Sequence, residues 1–126
     1  MSFPTNLRYT KEHEWLLQEA GNRFLVGITD YAQRELGDIV YVEVETIGKT
    51  LEAGEVFGTV EAVKTVSDLF LPVSGTIDEL NPELSNSPEL VNTDPYGKGW
   101  MIRMTVNDPA EVNKLLDAAA YESLVG

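Results

Sequence analysis

The chain has 126 residues, 9 of them basic and 21 acidic, for a formal charge of −12, and it contains no cysteine. That length suits a single domain spanning 1–126, able to bury a core without metal or disulfide support, and the missing thiols exclude a disulfide framework, a thiolate zinc cluster and a cysteine nucleophile. The acidic balance excludes nucleic-acid binding, which needs clustered Lys and Arg. It is compatible with plain solubility or with steering toward electropositive partner surfaces.

The opening residues, Met1 to Asn6, lack the basic and apolar regions of a signal peptide. No apolar run approaches the roughly 20 residues that span a bilayer. A cytoplasmic protein is expected, with a mature mitochondrial form as the other setting, and no membrane partner.

Taken in chain order, alternating and β-branched segments predict strands over residues 14–18, 23–28, 39–45, 55–62, 66–71, 75–80 and 100–106. Gly21, Gly48, Gly54, Gly75 and Asn81-Pro82 punctuate them at intervals typical of a small β sandwich or barrel. Between the second and third strands, Thr29 and Asp30 offer caps, Gln33 follows Asp30 by three positions, and Gly37 suits a C-cap, so a short helix is predicted. Near the end, Asp108-Pro109-Ala110-Glu111 reads as an N-cap followed by a helix whose apolar face carries Val112, Leu115, Leu116 and Ala119.

Periodicity would run residues 55–71 together as one strand, and a strand of that length is implausible. A break is expected inside it, although Val63-Lys64 lacks the Gly, Asn or Asp of a tight hairpin. Lys64 is also the only basic residue between Lys49 and Lys98, in a stretch with nine carboxylates. Two readings stand: a solvated lysine that protects a sheet edge, or a modified lysine presented to another protein on a hairpin.

Other constellations are weaker. His13 is the only histidine, too few for a histidine metal site, and Glu12-His13-Glu14 would alternate across a strand. Gly97-Lys98-Gly99 is too short for a phosphate loop. Trp15 and Trp100 fall in strand-like segments and read as core.

Beyond Glu61-Ala62-Val63-Lys64-Thr65-Val66-Ser67-Asp68 and Pro72-Val73-Ser74-Gly75, the chain carries Tyr9-Thr10-Lys11-Glu12-His13-Glu14-Trp15, Gly27-Ile28-Thr29-Asp30-Tyr31-Ala32-Gln33, Leu36-Gly37-Asp38-Ile39-Val40-Tyr41-Val42, Asn92 to Pro95, and Gly99-Trp100-Met101-Ile102. Together, in this order, these blocks resemble the H-protein family of glycine cleavage systems. The resemblance implies a mainly β fold, a hybrid barrel-sandwich of the lipoyl/biotinyl-carrier type with a short helix in the N-terminal half and a C-terminal helix. It implies lipoate joined to Lys64 through an amide, with Glu61 as a recognition candidate for the lipoate-attaching enzyme; Gly75 reads as a structural turn glycine in either case, where a side chain would be awkward. Glu14, Glu35, Ser67 and Asp68 are the candidates for a cleft that shelters the loaded arm; some relatives have histidine where this chain has Glu35.

The partners so implied are a pyridoxal-phosphate P protein that loads an aminomethyl group from glycine, a T protein that passes it to tetrahydrofolate, and a flavin L protein that reoxidises the dithiol. On this reading the chain is a carrier and not itself an enzyme. Two alternatives share Lys64: a relay that hands lipoate to other lipoyl domains, and an enzyme using Lys64 as a Schiff-base nucleophile, which would need a buried lysine.

Overall fold

A computed structural model describes residues 3–126; Met1 and Ser2, part of the opening segment read against a signal peptide, lie outside the described residues. The elements in chain order are β1 (Arg8–Tyr9), β2 (Glu14–Ala20), β3 (Arg23–Ile28), α1 (Asp30–Leu36), β4 (Ile39–Glu43), β5 (Thr50–Leu51), β6 (Val56–Ala62), β7 (Val66–Phe70), β8 (Gly75–Leu80), α2 (Leu90–Thr93), β9 (Ile102–Val106) and α3 (Ala118–Val125). Short 3-10 turns cover Pro82–Ser85 and Pro109–Lys114. A six-stranded antiparallel sheet runs β1-β2-β3-β9-β8-β5, and a three-stranded sheet runs β4-β6-β7. The mainly β expectation holds. None of the described helices is long and apolar enough to cross a membrane.

Side-chain alternation explains why two sheets close over one core and leave a second cluster outside it. Along β3, Phe24, Val26 and Ile28 point inward to meet Val42, Val60, Phe57 and Leu69 from the smaller sheet and Ile77 and Met104 from the larger. Trp15 on β2 takes the opposite face, where it joins Phe3, Leu7, Tyr9 and Tyr121. Its indole lies over Gly27, its register partner, where an added Cβ would approach the ring to 2.6 Å. The indole N–H donates to the Ile28 and Pro95 carbonyls, each at 3.0 Å. This satisfied donor is what makes a fully buried tryptophan favourable.

The C-terminal segment departs from expectation. Instead of one helix from Asp108, a 3-10 turn ends at Lys114, Leu115 is extended (φ −76°, ψ 170°), and Leu116 exchanges backbone hydrogen bonds with Tyr9 at 2.8 and 3.0 Å. Asp117 then caps α3, accepting the Ala120 N–H at 2.8 Å. Ala119 is consequently exposed, and Tyr121 is the buried anchor. The helical spacing was real, but a β-bridge to a distant residue satisfies Leu116 better than continuing the turn.

Gly75 leaves no room for a side chain, as expected, but it sits in a strand and not in a turn. It has no positive φ; it begins β8 where a Cβ would lie 2.3 Å from the Thr105 carbonyl oxygen and 2.7 Å from Met104 Cε. Gly75→Ala therefore forces β8 and β9 apart. We expect a loss of about 1 to 3 kcal/mol, as for other overpacked sites, read as a lower denaturant midpoint with the same slope. Unchanged stability would mean that the β8–β9 ladder yields easily there.

Candidate functional site

The break expected within residues 55–71 falls at Val63-Lys64-Thr65, between β6 and β7. The Ala62 N–H donates to the Thr65 carbonyl at 2.7 Å and closes the turn, while the Val63 N–H donates to the Asp38 carbonyl at 3.0 Å and braces it from outside. Gly37, at φ 83° and capping α1, lies beneath the lysine stem; a Cβ there would stand 3.2 Å from Lys64 Cε. The turn needs no glycine of its own because it is held by the neighbouring α1–β4 corner. Lys64 is exposed and, among the described ion pairs, takes part in none.

That corner is itself fixed by Asn92. Its Oδ1 accepts the Ile39 N–H at 2.9 Å, and its Nδ2 donates to Gln33 Oε1 and to the Gly37 carbonyl, both at 2.9 Å. One side chain thus ties the end of α1, the start of β4 and α2 together. Around the lysine the surface is apolar: Val63 is 75% and Val66 64% exposed. Across the outer face of the small sheet, Tyr41, Glu61 and Val66 stand in one row, since directly opposed residues share a face.

A cleft of about 140 Å³ opens between β2, α1 and the small sheet. Ile28, Ala32, Leu36, Val60 and Leu69 supply apolar walls, and Glu12, His13, Glu14, Glu35, Ser67 and Asp68 supply the polar groups. Glu14 is 2% exposed. Its Oε2 accepts the Phe70 N–H at 2.8 Å and its Oε1 a longer bond from Thr10 Oγ1 at 3.4 Å. Burial nevertheless pushes the carboxyl up to about 8, with Glu12 adding to the shift and the Phe70 and Thr10 donors opposing it. Glu35 and Asp68 are exposed, and Ser67 is half-buried. The cleft therefore presents exposed Glu35 and Asp68 at its mouth and, deeper in, Glu14, whose buried carboxyl is biased toward its protonated form.

His13 does not sit in a strand. Its φ of 70° turns the chain between Thr10 and the start of β2, correcting the alternation expected for Glu12-His13-Glu14. The His13 N–H donates to the Thr10 carbonyl at 3.1 Å, and its ring lies 4.8 Å from that of Tyr31. Among the described residues, no group of three or more His, Asp or Glu side chains is placed to hold a metal ion.

The family model for the glycine cleavage H-protein matches residues 7–126. The chain belongs to the glycine cleavage H-protein family. It is 59% identical over 125 residues to the glycine cleavage system H protein of Bacteroides fragilis, covering 99% of this chain and 98% of that one. It is 60% identical over 127 residues to that of Chlorobium limicola, covering 100% and 99%. A crystal structure of a glycine cleavage system H protein from Mycobacterium marinum superposes with a TM-score of 0.87 at 40% identity, covering 98% of this chain and 99% of that one. With an H-protein neighbour at that similarity, the two sheets are the barrel-sandwich expected from the resemblance.

Within this H-protein fold the sequence-nominated residues divide into two groups. Glu14, Glu35, Ser67 and Asp68 converge on one cleft although they come from β2, α1 and β7. Lys64 and Glu61 do not line it; Lys64 crowns the turn and Glu61 lies exposed on the outer sheet face. Glu12 and His13, which also line the cleft, and Gly37, Asp38 and Asn92, which brace the lysine turn, were not nominated. The conspicuous blocks containing them were the available signal. Trp15 is core as expected, whereas Trp100 is half-buried before β9 with the Arg103 guanidinium 4.9 Å from its ring centre.

Proposed function

We propose that this chain is the lipoyl carrier of a glycine cleavage system and that Lys64 is its attachment residue. The observation that carries the reading is the exposed Lys64, in none of the ion pairs among the described residues, on a braced turn in a chain of this family. An amine that must enter another enzyme's active site has to project from the surface, and a rigid hairpin fixes where it projects. The same exposure speaks against a Schiff-base nucleophile, which needs a buried lysine.

When bound, lipoate supplies a dithiolane that accepts the aminomethyl group of glycine at the P protein, gives it up at the T protein and is reoxidised by the L protein. The residues present fit such a group. The apolar walls of Ile28, Val60 and Leu69 suit its hydrocarbon and sulfur atoms, and the carboxyl groups of Glu12, Glu14, Glu35 and Asp68 suit a cationic amine. In this reading the chain supplies attachment, orientation and shelter from water, and the bond-making steps belong to its partners. Val63, Val66, Tyr41 and Glu61 form the face presented to the lipoate-attaching enzyme, with Glu61 available to a basic group on it. The setting is cytoplasmic, as for a bacterial carrier.

Intact-mass analysis of the native protein with peptide mapping tests the assignment: a lipoyl adduct on Lys64 is expected, and its absence, or an adduct elsewhere, counts against it. Glycine-dependent reduction of the lipoylated protein by a P protein separates the aminomethyl carrier from a lipoate relay, which would be lipoylated but not reduced.

A further inference from the structure

His13, the chain's single histidine, ends a chain of hydrogen bonds that starts at the N-terminus of α1. The Ala32 N–H donates to Thr29 Oγ1 at 3.2 Å, Thr29 Oγ1 lies 2.7 Å from the Tyr121 hydroxyl, and that hydroxyl lies 2.8 Å from His13 Nδ1. Counting protons fixes the direction. Thr29 is 0% exposed, and among the described hydrogen bonds the Tyr121 oxygen is the one acceptor within reach of its hydroxyl proton, so Thr29 donates to Tyr121. Tyr121 then spends its single proton on His13 Nδ1. A ring nitrogen that accepts carries no proton, so the imidazole is neutral with its hydrogen on Nε2.

We propose that Tyr121, anchored in the C-terminal helix, is a positioning residue that holds His13 in this neutral form, so that the cleft beside Glu14 presents no positive charge to a cationic amine. The proposal rests on the reading of that cleft as the shelter for the loaded arm. The groups facing His13 are Glu12 and Glu14 from its own segment, Tyr31 and Glu35 from α1, Asp68 from β7 and Tyr121 from α3. Burial holds His13 below the usual histidine range, against Glu12 and Glu35, which favour the charged ring. Protonation would place an N–H on Nδ1 facing the Tyr121 oxygen, which already receives the Thr29 O–H, and leave the buried Tyr121 proton without an acceptor, so the hydrogen-bond chain acts in the same direction as burial. The stacked Tyr9 ring, 4.8 Å from Tyr121, and the Phe3 edge, also at 4.8 Å, keep the phenol in place. Leu116 and Asp117 deliver it there, which gives the extended break before α3 a functional consequence.

Nitrogen NMR of the full chain reads the ring directly, because one histidine gives one set of imidazole signals. The parent chain should show an unprotonated Nδ1 and a protonated Nε2, and should titrate below the ordinary histidine range. Tyr121→Phe keeps the stacked ring and removes only the hydroxyl; its histidine should show mixed tautomers and titrate at higher pH than in the parent. In lipoylated protein carrying the aminomethyl group, release of ammonia and formaldehyde should then accelerate on the order of tenfold as the pH falls to the titration range of the variant. His13→Asn, which tolerates positive φ, should abolish that acceleration when combined with Tyr121→Phe. A protonated Nδ1 in the parent, or an unshifted titration in Tyr121→Phe, overturns the tautomer assignment whatever the arm does. Shifted titration with an unchanged release profile overturns the positioning role. If Glu14→Gln and Asp68→Asn also leave release unchanged, the cleft reading itself fails while the NMR result stands.

Discussion

Lys64→Arg is expected to fold like the parent chain, to gain no lipoyl mass and to carry no aminomethyl group. The turn is closed by backbone bonds from Ala62 to Thr65 and from Val63 to Asp38, none of which uses the lysine side chain. An exposed substitution of that kind stays within about 0.5 kcal/mol. The guanidinium preserves the charge but not a primary amine, so the acyl transfer that forms an amide has no acceptor. In the parent, the proposed modification would replace an ammonium with a neutral amide, moving the formal charge from −12 to −13 and raising native-gel mobility toward the anode. Incubation of both chains with a lipoate-attaching enzyme, followed by intact mass and a glycine-dependent transfer assay, checks all three statements. A lipoyl mass on Lys49 or Lys98, or residual transfer by the variant, would remove Lys64 from its role.

Glu14 supports the second large effect. Its carboxyl is raised from 4.5 to about 8, first of all by burial. A group raised in the folded state contributes stability that is fully present below its unfolded value and is lost as the pH climbs through the folded one. Between pH 4.5 and 8, the parent should therefore lose up to several kcal/mol as this buried carboxyl is driven to ionise. Glu14→Gln retains an oxygen to accept the Phe70 N–H and cannot ionise, so this loss should disappear and the variant should be the more stable chain at pH 8.5. Chemical denaturation at several pH values in parent and variant decides it; parallel stability curves would show that the carboxyl is not held neutral by burial.

The same substitution should carry an opposite functional sign. A cationic amine entering the cleft favours the ionised form of Glu14, so docking draws the proton off and gains a charge-assisted hydrogen bond of about 1.5 to 3 kcal/mol. Glu14→Gln forfeits that gain, and release of ammonia and formaldehyde from the loaded protein should rise by roughly one to two powers of ten. Exposed Glu35 is more strongly screened, and Glu35→Gln should have a smaller effect. Equal effects from both substitutions would mean that burial gives Glu14 no special weight.

Much of the fold was legible in the sequence for a definable reason. Strands buried on one face print a period of two, and that period, with the β-branched residues and the turn residues that punctuate it, bounded β3 at Arg23 and Ile28 and β8 at Gly75 and Leu80. The cap of α1 was written locally in Thr29, Asp30 and Gly37. The two-residue strands β1 and β5, the four-residue α2 and the turn at Pro82–Ser85 were not readable, because they are too short to show any period.

The candidate site divides along the same line. Sequence marked Lys64 as the lone amine of an acidic stretch and, through the family-like blocks, nominated Glu14, Glu35, Ser67 and Asp68. That these four share one cleft depends on α1 and β7 folding against the start of β2, and on Asn92 locking the α1–β4 corner to the lysine turn. The protonation of Glu14 and of His13 is decided further still from the local chain. Desolvation, opposed by the Phe70 N–H, sets the first, and burial together with the proposed bond from Tyr121, 108 positions away, sets the second. Periodicity and caps are short-range properties that a sequence carries on its face, whereas burial and hydrogen-bond direction exist only once distant segments have excluded water between them.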